Sequence, residues 1–189
     1  IVKGRPQVLN LKEMIERFSL EGIARSPAAF DIGKLRWLNR GHLRAMRGED
    51  ILPYARPFLQ DLPLERISEE WLVQVLDAVK ENAETLAELR GLIAIFLPEG
   101  FSMDDEARSA LTKDGALAAV KAMEEIVAGM EEVKEEDFSG IVAALKKRTG
   151  LKGKQLLAPI RAALTGRAEG PELQKVLSLL GKQMIMERL

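Results

Sequence analysis

Cysteine is absent, so the chain can hold no disulfide framework, no thiolate nucleophile and no zinc site of the cysteine type. A single histidine, His42, leaves a multi-histidine metal centre out of reach. No apolar run approaches the roughly 18 residues that a bilayer-spanning helix needs, and the N-terminus lacks the layout of a signal peptide. Strand formers are scarce: Val, Ile and Thr number 10, 12 and 4 and Tyr occurs once, against 28 Leu and 22 Ala. That balance suits helix far better than sheet. Also missing are a GxGxxG-type turn after a β-rich run, an HExxH or DxDxDG pattern, and a Ser/His/Asp arrangement with flanking glycines. Neighbouring carboxylates such as Glu124 and Glu125, or Glu131 and Glu132, point in different directions on a helix and read as solvated faces rather than acid–base pairs. The chain opens on Ile1 rather than Met, which points to a piece of a longer protein or a processed one.

Net charge is nearly zero, but its distribution is not even. Residues 1–47 carry 10 basic and 4 acidic groups, 48–98 carry 4 and 10, 99–144 carry 4 and 12, and 145–189 carry 10 and 3. Two basic ends therefore flank an acidic middle, a layout that can present polyanion-binding faces without a basic isoelectric point.

Punctuation residues predict an all-α bundle of about nine short helices. Asn10 with Glu13 forms a capping-box pattern for a helix over 11–18, and Asp31 caps a second carrying Leu35, Trp37 and Leu38. Gly48-Glu49-Asp50 opens a third. Ser68 opens the longest, through Trp71, Leu72, Val75, Leu76, Val79, Leu86 and Leu89, stopping near Gly91. Ser102 with Asp105, Asp114-Gly115 and Asp137 mark further starts, and Gly150 a stop. A helix over 152–165 contains Pro159, expected to bend or break it. Pro171 is expected at a first helical position, in a helix ending at Gly181.

Two blocks carry candidate chemistry. In the first, Lys34, Arg36, Arg40, Arg44 and Arg47 surround the apolar stripe of Leu35, Leu38 and Trp37. Such density can bind phosphate, with Trp37 available to stack, although composition alone favours an amphipathic helix with a basic solvent face. In the second, Lys146-Lys147-Arg148, Lys152-Gly153-Lys154, Arg161, Gly166-Arg167 and Gly170-Pro171-Glu172 combine cations with glycines that admit close backbone approach. The P-loop spacing is missing, and a helix end with solvent-facing lysines is the alternative.

Taken together, the stretch Leu11-Lys12-Glu13-Met14-Ile15-Glu16-Arg17-Phe18, then Ser26-Pro27-Ala28-Ala29-Phe30-Asp31, Lys34-Leu35 and Trp37-Leu38-Asn39, resembles bacterial glutamyl-tRNA synthetases just after their catalytic domain. Pro159-Ile160-Arg161-Ala162-Ala163-Leu164-Thr165-Gly166, Gly170-Pro171-Glu172-Leu173, Leu179-Leu180-Gly181-Lys182 and Arg188-Leu189 resemble the end of the same class I family. The two lie in the family's order and span the whole chain. The family's HIGH-type and KMSKS-type sequences, which serve ATP and magnesium chemistry, are not in this chain. The resemblance therefore implies an all-helical anticodon-binding region that is inactive alone and holds no cofactor itself. It implies residues 1–47 as the tail of a stem-contact region, and 48–95 and 96–189 as two anticodon-binding subdomains. The implied partner is tRNA, not DNA or membrane, met by a monomeric cytoplasmic protein; a free-standing helical RNA-binding or scaffold protein is the alternative.

The same resemblance assigns residues. Arg161 is implied to lie beside the anticodon, with Gly170, Pro171 and Leu173 at its first two bases. Lys34, Arg36, Trp37 and Arg44 are implied nearer the stem, and Lys152 and Lys154 at the RNA backbone. Where many members read the third anticodon base with an arginine before a Thr-Leu pair, this chain has Asn82 before Thr85-Leu86. Loss of that guanidinium implies relaxed reading and acceptance of both glutamate and glutamine tRNAs, unless Lys80, Glu81 or a nearby residue takes over.

Overall fold

The computed structural model describes residues 8–23 and 30–189; the Ser26-Pro27-Ala28-Ala29 portion of the N-terminal motif lies outside the described residues. Among the described residues there are ten α-helices, four short 3-10 helices and no strand. None of these helices is long and apolar enough to cross a membrane.

Side-chain caps set the starts of five of the ten α-helices. Helix α1 (Leu11–Arg17) opens on a complete capping box, Asn10 Oδ1 accepting from Glu13 N at 2.9 Å and Glu13 Oε2 accepting from Asn10 N at 2.8 Å. Asp31 caps α2 (Ile32–Ala45) through Lys34 N at 3.0 Å. Helix α3 (Gly48–Ala55) packs on α4 (Glu69–Val79), which Ser68 caps through Trp71 N.

The single long helix expected after Ser68 is two. Helix α4 gives way to a 3-10 turn at Lys80–Asn82, Ala83 is extended and fully buried, and α5 (Leu86–Ala94) restarts behind Thr85. The break has a local cause. Thr85 Oγ1 accepts from Glu88 N at 3.4 Å while Glu88 Oε2 accepts from Glu84 N at 2.7 Å, so these side chains offer the backbone an alternative to continuing the helix. The apolar stripe survives the break, with Leu72, Val75, Leu76, Val79, Leu89 and Ile93 all buried.

In the second half, α6 (Asp105–Leu111) is capped by Asp104 rather than Ser102, α7 (Ala116–Ala128) follows the left-handed Gly115, and α8 (Phe138–Thr149) stops at the left-handed Gly150. Helix α9 (Gly153–Thr165) runs through the buried Pro159 without ending there. Helix α10 (Leu173–Arg188) begins two residues after Pro171, so that proline precedes the helix instead of starting it. Gly181, at φ 68° and ψ 166°, makes a kink from which the chain resumes helix to Arg188.

One buried cluster joins both halves, from Leu43 and Ile51 through Leu76, Phe96, Met123 and Leu145 to Leu164, Leu177 and Ile185. Trp71 fastens α4 to α10: its ring meets Phe96 edge-on at 6.4 Å and its Nε1 donates to Leu179 O at 3.3 Å. A smaller cluster of Ala107, Ala110 and Ala162 lets α6 and α9 approach closely. Because Leu76 is wholly enclosed, Leu76→Ala is expected to cost about 3 kcal/mol in a urea melt, and an unshifted midpoint would refute its place in the core.

Candidate nucleic-acid interface

A groove of about 500 Å³ opens between two walls that are remote in sequence. One wall is the 3-10 turn ending at Asn82 together with the outer side of α5, including Ala87, Arg90, Gly91 and Ile95; the other is the loop after α9, with Arg167, Glu169, Gly170 and Pro171.

The loop wall is built by the Thr165-Gly166 pair. Thr165 is 2% exposed, and its hydroxyl donates to Arg161 O at 2.8 Å while accepting from Arg167 N at 3.2 Å. Gly166 ends α9 at φ 66°, and its carbonyl accepts from Asp104 N at 3.0 Å. Arginines then tie the walls in place. Arg167 donates to the Ser102 and Gly166 carbonyls and to Ser102 Oγ, with Asp104 3.9 Å away. Arg161 Nη1 donates to Pro171 O. Burial pushes the Arg161 guanidinium below its ordinary pKa, with Glu169 opposing the shift. Arg188 reaches three carbonyls, donating to Ile95 O at 2.7 Å, Leu164 O at 2.6 Å and Leu97 O at 3.1 Å, and lies 4.8 Å from the centroid of the Phe101 ring. Burial lowers its pKa as well.

Of the residues singled out in the sequence, Asn82, Gly170 and Pro171 share this groove. Arg161 stands behind it, engaged with the Pro171 carbonyl. Leu173 is 6% exposed and belongs to the core, so its side chain supports the loop from below.

The basic residues of α2 are elsewhere. Arg36 and Arg40 pair with Glu84 at 3.6 and 3.1 Å, Arg44 pairs with Glu81 at 3.8 Å, and Asn39 Nδ2 donates to Glu84 O. Helix α2 is thereby fastened to the segment that carries Asn82. Lys34 and Trp37 are exposed on it. Lys152 and Lys154 are exposed at the start of α9, roughly 20 Å from Gly166 by the rise of a 13-residue helix. There Lys154 lines a separate cavity of about 280 Å³ with Lys113 and Asp114. No group of three or more His, Cys, Asp or Glu side chains able to hold a metal occurs among the described residues.

The sequence assigns no anticodon role to Arg90, Arg167 or Arg188; Arg167 enters only within the second basic block and Arg188 only within the C-terminal motif. Arg167 had a readable signal, since it directly follows the Thr165-Gly166 turn. Arg90 had none, because only the fold brings α5 opposite the 166–172 loop.

Comparison with known proteins gives the chain its relatives. A family described as anticodon binding domain matches residues 50–189. A glutamate–tRNA ligase of Syntrophus aciditrophicus is 33% identical over 191 residues, covering 100% of this chain and 39% of the relative. One from Desulforamulus reducens is 33% identical over 192 residues, covering 98% and 40%. The chain thus spans about two fifths of the curated relatives it matches. The solved structure of a glutamate tRNA ligase from Elizabethkingia meningosepticum superposes with a TM-score of 0.77 at 24% identity, over 95% of this chain and 36% of that one, a likeness of fold. With its helical architecture and a family match over most of its length, the chain belongs to the anticodon-binding domain family, and its sequence relatives are glutamate–tRNA ligases.

Proposed function

We propose that this chain is the anticodon-reading part of a glutamate–tRNA ligase, binding the anticodon loop of a glutamate tRNA in the groove between α5 and the 166–172 loop. It supports ATP-dependent attachment of glutamate to that tRNA without itself activating the amino acid. The observation that carries the reading is the convergence of Asn82, Gly170 and Pro171, about ninety residues apart, on one groove. Sequence-specific RNA recognition works on unpaired bases that are splayed out and read along their exposed edges. Gly170 and Pro171 supply a flat backbone wall for that purpose, and Arg161 fixes the wall through the Pro171 carbonyl. Exposed cations on α2, Lys34 foremost, supply attraction to the phosphates beyond the loop.

The 189-residue chain is expected to bind a stem-loop bearing the glutamate anticodon at least about tenfold more tightly than the same stem with a scrambled loop. Arg161→Ala frees the Pro171 carbonyl and is expected to reduce that binding by about tenfold. Equal affinity for the scrambled loop would overturn the reading.

A further inference from the structure

Helix α2 is seated by polar contacts rather than by a buried face. Of its fourteen residues only Leu43 is buried, so apolar packing contributes little to holding it. The polar contacts converge on one short segment, the 3-10 turn at Lys80–Asn82 and the two residues after it. Arg36 and Arg40 reach the Glu84 carboxylate at 3.6 and 3.1 Å, and Asn39 Nδ2 donates to Glu84 O. Arg44 lies 3.8 Å from the Glu81 carboxylate and donates to Glu81 O at 3.4 Å. From the turn itself, Lys80 Nζ donates back to Met46 O, just past the end of α2, at 2.7 Å.

These contacts bracket Asn82. Glu81 is tied on one side of it, Ala83 is fully buried on the other, and Glu84 is held next by three α2 side chains. Glu84 is the hub, because its N–H also donates to Glu88 Oε2 at 2.7 Å, which leaves its amide, carbonyl and carboxylate all committed. Of the polar side chains in residues 80–84, only that of Asn82 has no partner among the described residues, and Asn82 lines the groove.

Exposed ion pairs contribute little to stability, because water screens them and holding two long side chains in one geometry costs entropy. Stability is therefore a poor explanation for a network of this density. What the network does supply is position: anchors at 81, 83 and 84 leave the turn one place to sit. The same contacts occupy Arg36, Arg40 and Arg44, and Arg40 Nε is shielded from solvent as well. The Lys34 ammonium alone of the α2 cations has no such partner.

Resting on the anticodon reading of the groove, we propose that Glu81 and Glu84 are positioning residues which, clamped by the α2 arginines and Asn39, set the Asn82 wall at the separation from the 166–172 loop that an unpaired base requires. Arg36, Arg40 and Arg44 are then braces of the groove and not contacts to RNA phosphate, the stem-side role that resemblance implied for Arg36 and Arg44. Discrimination between anticodon loops thus depends on a helix none of whose residues lines the groove.

The test measures binding of the 189-residue chain to the glutamate stem-loop and to the same stem with a scrambled loop, at several salt concentrations, together with melting temperatures. Glu84→Gln and Arg40→Gln are each expected to lower affinity for the glutamate loop about tenfold and to leave the scrambled loop within about twofold, the signature of a displaced wall. The salt slope stays that of the parent, since no phosphate contact is lost, and the melting temperature stays within about 3 °C. Combining Arg40→Glu with Glu84→Arg reverses the pair and is expected to bring the affinity back to within about threefold of the parent, the exchanged carboxylate also lying one turn from Arg36 on the same helix.

If Arg40→Gln weakens both loops alike and lowers the salt slope by about one, α2 is an RNA-contacting face and the proposal falls. It falls as well if Glu84→Gln tightens both loops by freeing cations, if both single variants keep the parent's preference, or if the reversed pair stays as weak as the singles. A lost preference accompanied by a melting temperature lowered by more than about 6 °C makes the network a source of stability and also overturns it. In each of these outcomes the parent still prefers the glutamate loop, so the anticodon reading stands. A parent without that preference defeats both proposals together.

Discussion

Gly166→Ala is expected to destabilise the chain by about 4 kcal/mol, among the largest effects available to one added methyl group. Two separate costs combine. The residue sits at φ 66°, a conformation that a side chain strains by about 1 kcal/mol. The larger cost is steric: a Cβ at this position overlaps the Ser102 carbonyl oxygen, with Ser102 C at 2.8 Å and Met103 Cα at 3.2 Å. These are backbone atoms and cannot rotate away. Moving them disturbs the Arg167 bonds to Ser102 and the bond from Asp104 N to Gly166 O at 3.0 Å, which together hold the loop wall of the groove. Gly150→Ala is the matched control, since Gly150 has φ 70° and open space around its built Cβ. It is expected to lose only about 1 kcal/mol. Urea midpoints for the two variants separate the terms, and equal losses would show that the clash with Ser102 is relieved cheaply.

That glycine also shows how far the sequence could be read. Capping residues such as Asn10, Asp31 and Ser68 announced their helices, because a cap is a contact between residues three apart and needs no tertiary structure. The buried stripe from Leu72 to Leu89 was equally legible. The interruption inside it was harder: the same period continues on both sides, and Thr85 with Glu88 had to be seen as a helix start within a helical pattern.

At the groove, resemblance brought Asn82, Gly170 and Pro171 forward, and the fold brings them together. What each cation does was not legible, because charge is written in the sequence and its partner is not. Arg36 and Arg44 read as an RNA-facing stripe, yet they pair with Glu84 and Glu81, some forty residues away. Arg161 read as an RNA contact and is engaged by a backbone carbonyl. Leu173 read as a base contact and lies in the core. The separation of charge into basic ends and an acidic middle was real, but part of it is closed by ion pairs between α2 and the 81–84 turn.

Arg188→Met is expected to cost about 4 kcal/mol although the residue is next to last in the chain, a position where substitutions are ordinarily tolerated. The guanidinium donates to three carbonyls from two places in the chain, Ile95 and Leu97 in the turn that follows α5 and Leu164 in the last turn of α9. Hydrogen bonds to a charged donor contribute about 1.5 to 3 kcal/mol each, reduced here because the side chain is only partly buried and water can replace some of them. Methionine keeps an apolar stem of similar reach, so the loss reports the donors rather than the packing. Arg188→Lys retains the charge and can serve fewer of the three carbonyls, so about half of the loss is expected to return. Calorimetric melts of the two variants test this ordering, and a Met variant that melts with the parent would refute the clamp. Function should follow stability, because Ile95 lies in the α5 wall and Leu164 immediately precedes the Thr165-Gly166 turn that builds the other. Arg188 is therefore a brace between the two walls, and its loss is expected to weaken anticodon-loop binding even well below the melting temperature, without altering the salt slope that a lost phosphate contact would change.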